Sequence, residues 1–471
     1  MTWLPRVVSR FLAAATAVTL TVAAAGPAAA QSAIRDTEIE GIIREWSDPV
    51  FTAIGLEPSE VEILLVGDND LNAFATPGRV LGVNTGLILR TRNANELLGV
   101  IAHEAGHIKN RHTLRDGARD AGMQPMIMSM ALGALAIAAG SPTAGAALLG
   151  SSTYFGALGS LRYISQQEGE ADNSAAHALE AAGESGRGLV EFFENFRSQE
   201  VFSDARRYPF FRSHPLSSAR IENLRRLVSE APHYGHAESP ERIGQHALIQ
   251  AKIRAFMDPP NQTLRTYPST DTSIPGRYAR AIAWYRDGQT NRALTAVDAF
   301  LVEQPDNPYL WELKGQILFE ESRPAEAIEA HQRSVELMPD APLLRINLAH
   351  ALIETNDPTR LDQAVNELKR ATALEKDNTL AWRLLSQAYS SQGKEGEARL
   401  ASAEFYFAQG RQDQATQFAL RARDMLPRGS NEWIRAMDIV FASGATQEDV
   451  DAADERYRRD QPVRVIPADA G

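Results

Sequence analysis

The chain has 471 residues, 44% of them hydrophobic and 23% charged, with 48 basic against 60 acidic side chains and a formal charge of −12. That length exceeds a single core and predicts two or three domains, and the acidic balance excludes the usual nucleic-acid binder. No cysteine is present, so a disulfide framework and thiolate metal sites are excluded, and any metal must be held by histidine and carboxylate.

Residues 1–30 stand apart: Arg6 and Arg10 lead an uncharged apolar run from Phe11 to Gly26, followed by small residues at Ala28 and Ala30. This is the anatomy of a cleavable secretory signal rather than an uncleaved anchor. Its removal after Ala30 leaves 46 − 60 = −14 charges. Export of a chain without cysteine points to a bacterial periplasm.

From 35 to 230 strand-like and helical patterns mix. The aliphatic runs VEILLVGD (61–68) and RVLGVNTGLIL (79–89) read as strands, separated by DNDLNAFATPG, whose Asn, Asp, Pro and Gly mark turns. A helix follows, with Asn93 and Glu96 placed for a capping box and Leu97, Val100, Ile101 and Ile108 at helical spacing. This helix carries His103, Glu104 and His107. The i, i+4 spacing puts both imidazoles on one face, close enough to share one cation, with Glu104 beside them able to hold a water without ligating. Ala102, Ala105 and Gly106 leave room for a second helix and a substrate.

A catalytic zinc needs a third protein ligand and an open position. Position 113, six past His107, is threonine, and His112 falls one short, on another face of an extended helix. The segment QQEGEADNSAAHAL (166–179) offers carboxylates instead. Glu168 and Asp172 are four apart on one face, so Glu168 suits a ligand and Asp172 suits an acceptor for a ligating imidazole. Glu170 is the rival ligand, about 200° round the helix from Glu168. Between these motifs, residues 121–161 hold no charge and are split by Pro142. Each half is short for a membrane span. A hydrophobic helical hairpin is expected, buried or resting peripherally on a membrane through 123–160, with insertion as the alternative.

Residues 232–275 are rich in Pro, Ser and Thr and read as a linker. Beyond it Ala293, Ala327, Ala364 and Ala398 recur at spacings of 34, 37 and 34, and WELKGQIL at Trp311 and WRLLSQAY at Trp382 repeat a first-helix pattern. A 34-residue period of this kind is the tetratricopeptide signature, a stack in which no helix pair buries its apolar face alone.

His-Glu-x-x-His with Glu-x-Glu-Ala-Asp resembles the gluzincin peptidases of the HtpX and CAAX-prenyl-protease type. NAFATPG and GVNTGLI upstream and SHPLSSARI (213–221) downstream extend the resemblance over about residues 60–225. With the leader before and the repeats after, the whole chain resembles the periplasmic beta-barrel assembly-enhancing protease group. The resemblance implies a mainly α fold: a gluzincin-type α+β metalloprotease domain with a small β-sheet, then an all-α tetratricopeptide solenoid. It implies one Zn2+ per chain on His103, His107 and Glu168, with Glu104 as general base and Asp172 supporting a ligand. His214 is then a regulatory fourth ligand that plugs the open position, and Arg220 steadies that segment or the transition state.

The function so implied is a periplasmic zinc endopeptidase that hydrolyses misfolded or stalled outer-membrane proteins. Its repeats would bind substrate or the assembly machinery, and a strand near NAFATPG would pair with an extended substrate. The alternative is a chaperone-like assembly factor in which the zinc braces the fold. The expected domains are a signal peptide (1–30), a metallopeptidase domain (31–257), a linker (258–276), a repeat domain (277–450) and a flexible tail (451–471).

Overall fold

The computed structural model describes residues 32–114, 164–200 and 209–452. The expected signal (1–30), the uncharged stretch 121–161 and all but the first two residues of the tail lie outside them. Two compact units are formed: one takes the residues up to Arg35 with Ile39–Ile253, the other takes Asp36–Glu38 with the residues from Arg254 on.

The first unit is α+β. Its four strands are β1 (Ser32–Ile34), β2 (Glu62–Gly67), β3 (Ala73–Thr76) and β4 (Val80–Asn84), in the order β1-β2-β4-β3. The central β2–β4 pair is parallel, and both outer pairs are antiparallel. The DNDLNAFATPG segment, expected as turns, thus contributes the edge strand β3. Its turn chemistry is confined to the ends, where Asp68 accepts from Asp70 N and Gly78 takes a φ of 91°. Conversely, the aliphatic run at 85–90 is a helix, α2 (Thr85–Arg90). Thr85 Oγ1 and Gly86 N both donate to the Asp68 carbonyl at 2.9 and 2.8 Å and turn the chain out of the ladder. A short buried apolar run has no periodicity to tell the two states apart.

The helix α1 (Thr37–Ile54) lies between β1 and β2 in the chain and buries Ile39, Ile43, Trp46 and Val50, spaced along one stripe. The next helix, α3 (Ala94–Lys109), is buried on almost every side, with Leu97, Val100, Ile101 and Ala105 fully enclosed. Leu97, Val100 and Ile101 each contribute roughly 1.5–3 kcal/mol of burial, which holds a polar-bearing helix inside the core. It packs against β3 and against α5 (Arg187–Glu200), and α4, described over 164–181, crosses it. Two short helices complete this part, α6 (Pro209–Ser213) and α7 (Ser218–Ser229).

The stretch expected as a linker carries two helices, α8 (Pro240–Met257) and α9 (Pro260–Thr266). Pro240 and Pro260 stand at the first helical position, where a missing N–H costs nothing, so they open helices rather than prevent them. The α8 residues Gln245, His246 and Gln250 bind Trp46 Nε1, Thr91 Oγ1 and the carbonyls of Ile88 and Thr91.

The second unit is helical throughout its described residues. Its array runs α10 (Ile274–Arg286), α11 (Thr290–Glu303), α12 (Pro308–Glu320), α13 (Pro324–Leu337), α14 (Pro342–Glu354), α15 (Leu361–Leu374), α16 (Thr379–Ser391), α17 (Glu395–Ala408), α18 (Gln412–Met425) and α19 (Asn431–Ala442). Sequential helices pack on one another throughout. Ala293, Ala327, Ala364 and Ala398, the periodic alanines, are all buried where paired helices touch. Asn307 and Asn378 cap α12 and α16 through side-chain oxygens. No helix among the described residues is long and apolar enough to cross a membrane.

Candidate metal centre

Three separate stretches of the first unit supply the site. Helix α3 presents His103, Glu104 and His107, helix α4 presents Glu168 and Asp172, and His214 follows α6. The two helices meet backbone to backbone: a Cβ on Gly106 would stand 2.7 Å from the Ala171 carbonyl oxygen. Glycine at 106 is therefore what lets α4 bring Glu168 over the two histidines.

One ligand atom from each of His103, His107, Glu168 and His214 lies within 4.8 Å of the others, and all four residues are buried. His103 Nε2 stands 3.2 Å from His107 Nε2 and 3.4 Å from His214 Nδ1. Glu168 Oε1 is 3.4 Å from His107 Nε2 and 3.0 Å from His214 Nδ1, and Oε2 is 3.4 Å from His103 Nε2. Tetrahedral ligands about 2.0–2.1 Å from a zinc ion stand about 3.3 Å apart. The donor set thus fits such an ion in residue type, separation and burial.

Charge points the same way. Three carboxyl groups (Glu104, Glu168, Asp172) and one guanidinium (Arg220) are buried together. Fully ionised they sum to 1 − 3 = −2, which one divalent cation neutralises. Burial pulls the His103 pKa down, but hydrogen bonds to Asp172 and Glu168 outweigh it and lift it from 6.5 to about 9. His107 goes the other way, lowered to about 2 by burial and by His103 beside it. Burial also opposes ionisation of Glu168 and Asp172. Yet His103 and His214 hold the first, and Arg220 the second, well below the usual carboxylate range.

The surrounding contacts orient the donors. Asp172 Oδ1 is 2.9 Å from His103 Nδ1, which turns Nε2 of that ring into the cluster. Arg220 Nη1 reaches Glu168 Oε2 at 2.7 Å and the Pro215 carbonyl at 3.2 Å, while Nη2 reaches Asp172 Oδ1 at 2.8 Å. The guanidinium lies over the Phe193 ring, and Phe210 packs against the His214 imidazole. Glu104 Oε1 is buried and no hydrogen bond reaches it among the described residues; His214 Nε2 stands 3.5 Å away.

The structure thus brings together all seven residues singled out in the sequence. It sets Glu170 apart, with Oε2 turned 3.1 Å from His112 Nε2. His112 itself is not on a remote face. Helix α3 ends at Lys109, Arg111 adopts a φ of 58°, and the chain doubles back to set His112 Nδ1 3.0 Å from His107 Nδ1. The capping box is also half realised. Asn93 accepts from Glu96 N, but the Glu96 carboxylate accepts from Arg92 N rather than Asn93 N. The flanking Phe193 and Phe210 carried no sequence signal beyond hydrophobicity.

Comparison with known proteins places both units among described families. Peptidase family M48 matches residues 33–228, and the cytochrome c-type biogenesis protein H TPR domain matches residues 286–406. Beta-barrel assembly-enhancing proteases of Yersinia pestis and Escherichia coli (strain K12) are 25% and 26% identical, each over 79% of this chain and 76% of their own length. A protease HtpX homolog of Thermococcus kodakarensis is 31% identical over 40% of this chain and 77% of its own. On these matches, and with the buried histidine and glutamate cluster at its centre, the chain belongs to peptidase family M48 and is a peptidase.

Proposed function

We propose that this peptidase is a zinc-dependent endopeptidase of the periplasm that cleaves misfolded or stalled outer-membrane proteins, its repeats holding the substrate or the assembly machinery. The observation that carries the chemistry is the convergence of four buried donor atoms on one point. The names of the relatives, beta-barrel assembly-enhancing proteases, support the substrate class. The apolar run of residues 11–26 with Ala28 and Ala30 supports export.

His103, His107 and Glu168 would hold the ion, and Asp172 and Arg220 would fix the rings and carboxylate that do so. When bound, zinc supplies Lewis acidity that makes water nucleophilic near neutral pH and polarises a peptide carbonyl. Glu104 Oε1, buried beside the donors and reached by no hydrogen bond among the described residues, accepts the proton from the attacking water and returns it to the leaving amine. The edge strand β3, which packs against α3, offers a backbone ladder to an extended substrate. The approach of His214 Nδ1 to Glu168 Oε1 at 3.0 Å and to His103 Nε2 at 3.4 Å supports its reading as a plug that would withdraw for full activity.

Purified wild type, Glu104→Gln and His214→Ala, compared for bound zinc and casein digestion, test the reading. Stoichiometric zinc is expected in all three. Activity is lost in Glu104→Gln by about 10²–10⁴-fold, and it rises in His214→Ala. A Glu104→Gln protein that still digests casein at the wild-type rate sinks the catalytic assignment. If the zinc only braces a chaperone, the cellular effect survives that substitution.

A further inference from the structure

Each histidine of the motif has one ring nitrogen in the cluster and one facing outward, and the two outward nitrogens are treated differently. His103 Nδ1 meets a carboxylate directly, Asp172 Oδ1 at 2.9 Å. His107 Nδ1 meets another imidazole, His112 Nδ1 at 3.0 Å, and the far nitrogen of that ring, Nε2, meets Glu170 Oε2 at 3.1 Å. We propose that His112 and Glu170 form a relay that fixes the tautomer and orientation of His107, the counterpart at one remove of the Asp172–His103 contact.

The proton count leaves one arrangement. His107 Nε2 must carry a lone pair to serve a cation, so its Nδ1 carries the hydrogen and donates. His112 Nδ1 then accepts, which puts the His112 hydrogen on Nε2, and that hydrogen is donated to the Glu170 carboxylate. A carboxylate at the end of such a chain raises the electron density of the ligating ring.

The local structure is built for this contact. A non-glycine residue in the left-handed region costs about 1–2 kcal/mol, yet Arg111 takes a φ of 58° at the bend that returns His112 to the helix end. The His112 side chain is 6% exposed, whereas that of Glu170 is 48% exposed. Gln166 Nε2 donates to Glu170 Oε1 at 2.9 Å, and Asn110 Nδ2 donates to Ser174 Oγ on the same helix at 3.0 Å. Asn110 thus ties the turn to the helix, and Gln166 steadies the Glu170 carboxylate from within that helix.

This inference rests on the reading that His107 holds the ion, and its test separates the two. Zinc dissociation constants are measured by competition with a chromophoric chelator on the full chain, with the visible spectrum of the Co2+ form as a second readout. His112→Phe, which keeps the ring and removes the acceptor, is expected to weaken zinc binding about 10–100-fold and to shift the cobalt bands. Glu170→Met acts in the same direction with a smaller loss. Because Glu170 acts only through His112, the double variant should bind no more weakly than His112→Phe alone. His112→Asn, whose amide oxygen can accept from His107 Nδ1, should recover part of the affinity.

Unchanged affinity and spectrum in His112→Phe, or fully additive losses in the double variant, overturn the relay. Should His112→Phe fail to fold, Glu170→Met on its half-exposed side chain decides alone, and unchanged affinity there overturns it. Wild type that binds no zinc overturns both readings; tight wild-type binding with equally tight variants overturns only the relay.

Discussion

The two units solve the problem of a stable interior in opposite ways. The first encloses one crowded polar cluster, with three histidines, three carboxyl groups and Arg220 inside a single α+β core. The second spreads its burial along ten helices whose contacts are mostly alanine and leucine, and its buried ion pairs, such as Arg345 with Glu367, stand singly. The first core therefore depends on contacts between residues far apart in the chain, the second on contacts between neighbours. Loss of one member should be severe in the first and graded in the second.

The largest effect is expected at Arg220. Arg220→Ala leaves Asp172 and part of Glu168 without their buried partner, a change that costs about 3–5 kcal/mol. Calorimetry of the full chain should show the first unit's transition lowered and the second unit's unmoved. An equal fall in both would erase the distinction. Next comes Gly106→Ala. Helix propensity favours alanine by about 1 kcal/mol, but the new methyl meets the Ala171 backbone carbonyl, which cannot rotate away. Overpacking at about 1–3 kcal/mol should win, and zinc affinity should fall with stability.

Gly315→Ala is the matching change in the repeats. Its methyl would meet the His331 ring at 2.6 Å, and a side chain gives way more readily than backbone. A smaller loss of stability is expected, with peptidase activity on a short peptide unchanged. The smallest effect is one of pH. Burial, with His350 nearby, lowers the His331 pKa to about 4 from the ordinary 6.5. Between those values the unfolded chain binds a proton that the folded one refuses. The contribution is therefore intact above about 6.5 and is lost as the pH falls towards about 4. Melting of the second unit measured from pH 7 to pH 5 should decline in wild type and decline less in His331→Leu.

The residues of the candidate site were legible in sequence to the extent that helical spacing carries them. His103 with His107, and Glu168 with Asp172, are pairs one turn apart, and an unbroken helix delivers both members to one side. The repeats were legible for a similar reason, since their period is written in alanines that recur at helix contacts. Spacing failed where the backbone leaves a regular element. His112 counts to the wrong face only if α3 continues past Lys109, and the bend at Arg111 brings it back. The strand β3 hid among turn residues because just four residues of it lie between two turns. The helices α8 and α9 hid behind prolines that open them.

The contact of Gly106 with Ala171 has a consequence for when this enzyme becomes dangerous. The four converging donors come from stretches around positions 103–107, 168 and 214, and only the fold brings the three stretches together. A copy emerging from the ribosome or awaiting its native core carries every residue of the motif yet cannot assemble the centre. Latency of the proposed centre is thus a product of topology: its donors converge only as the tertiary fold matures.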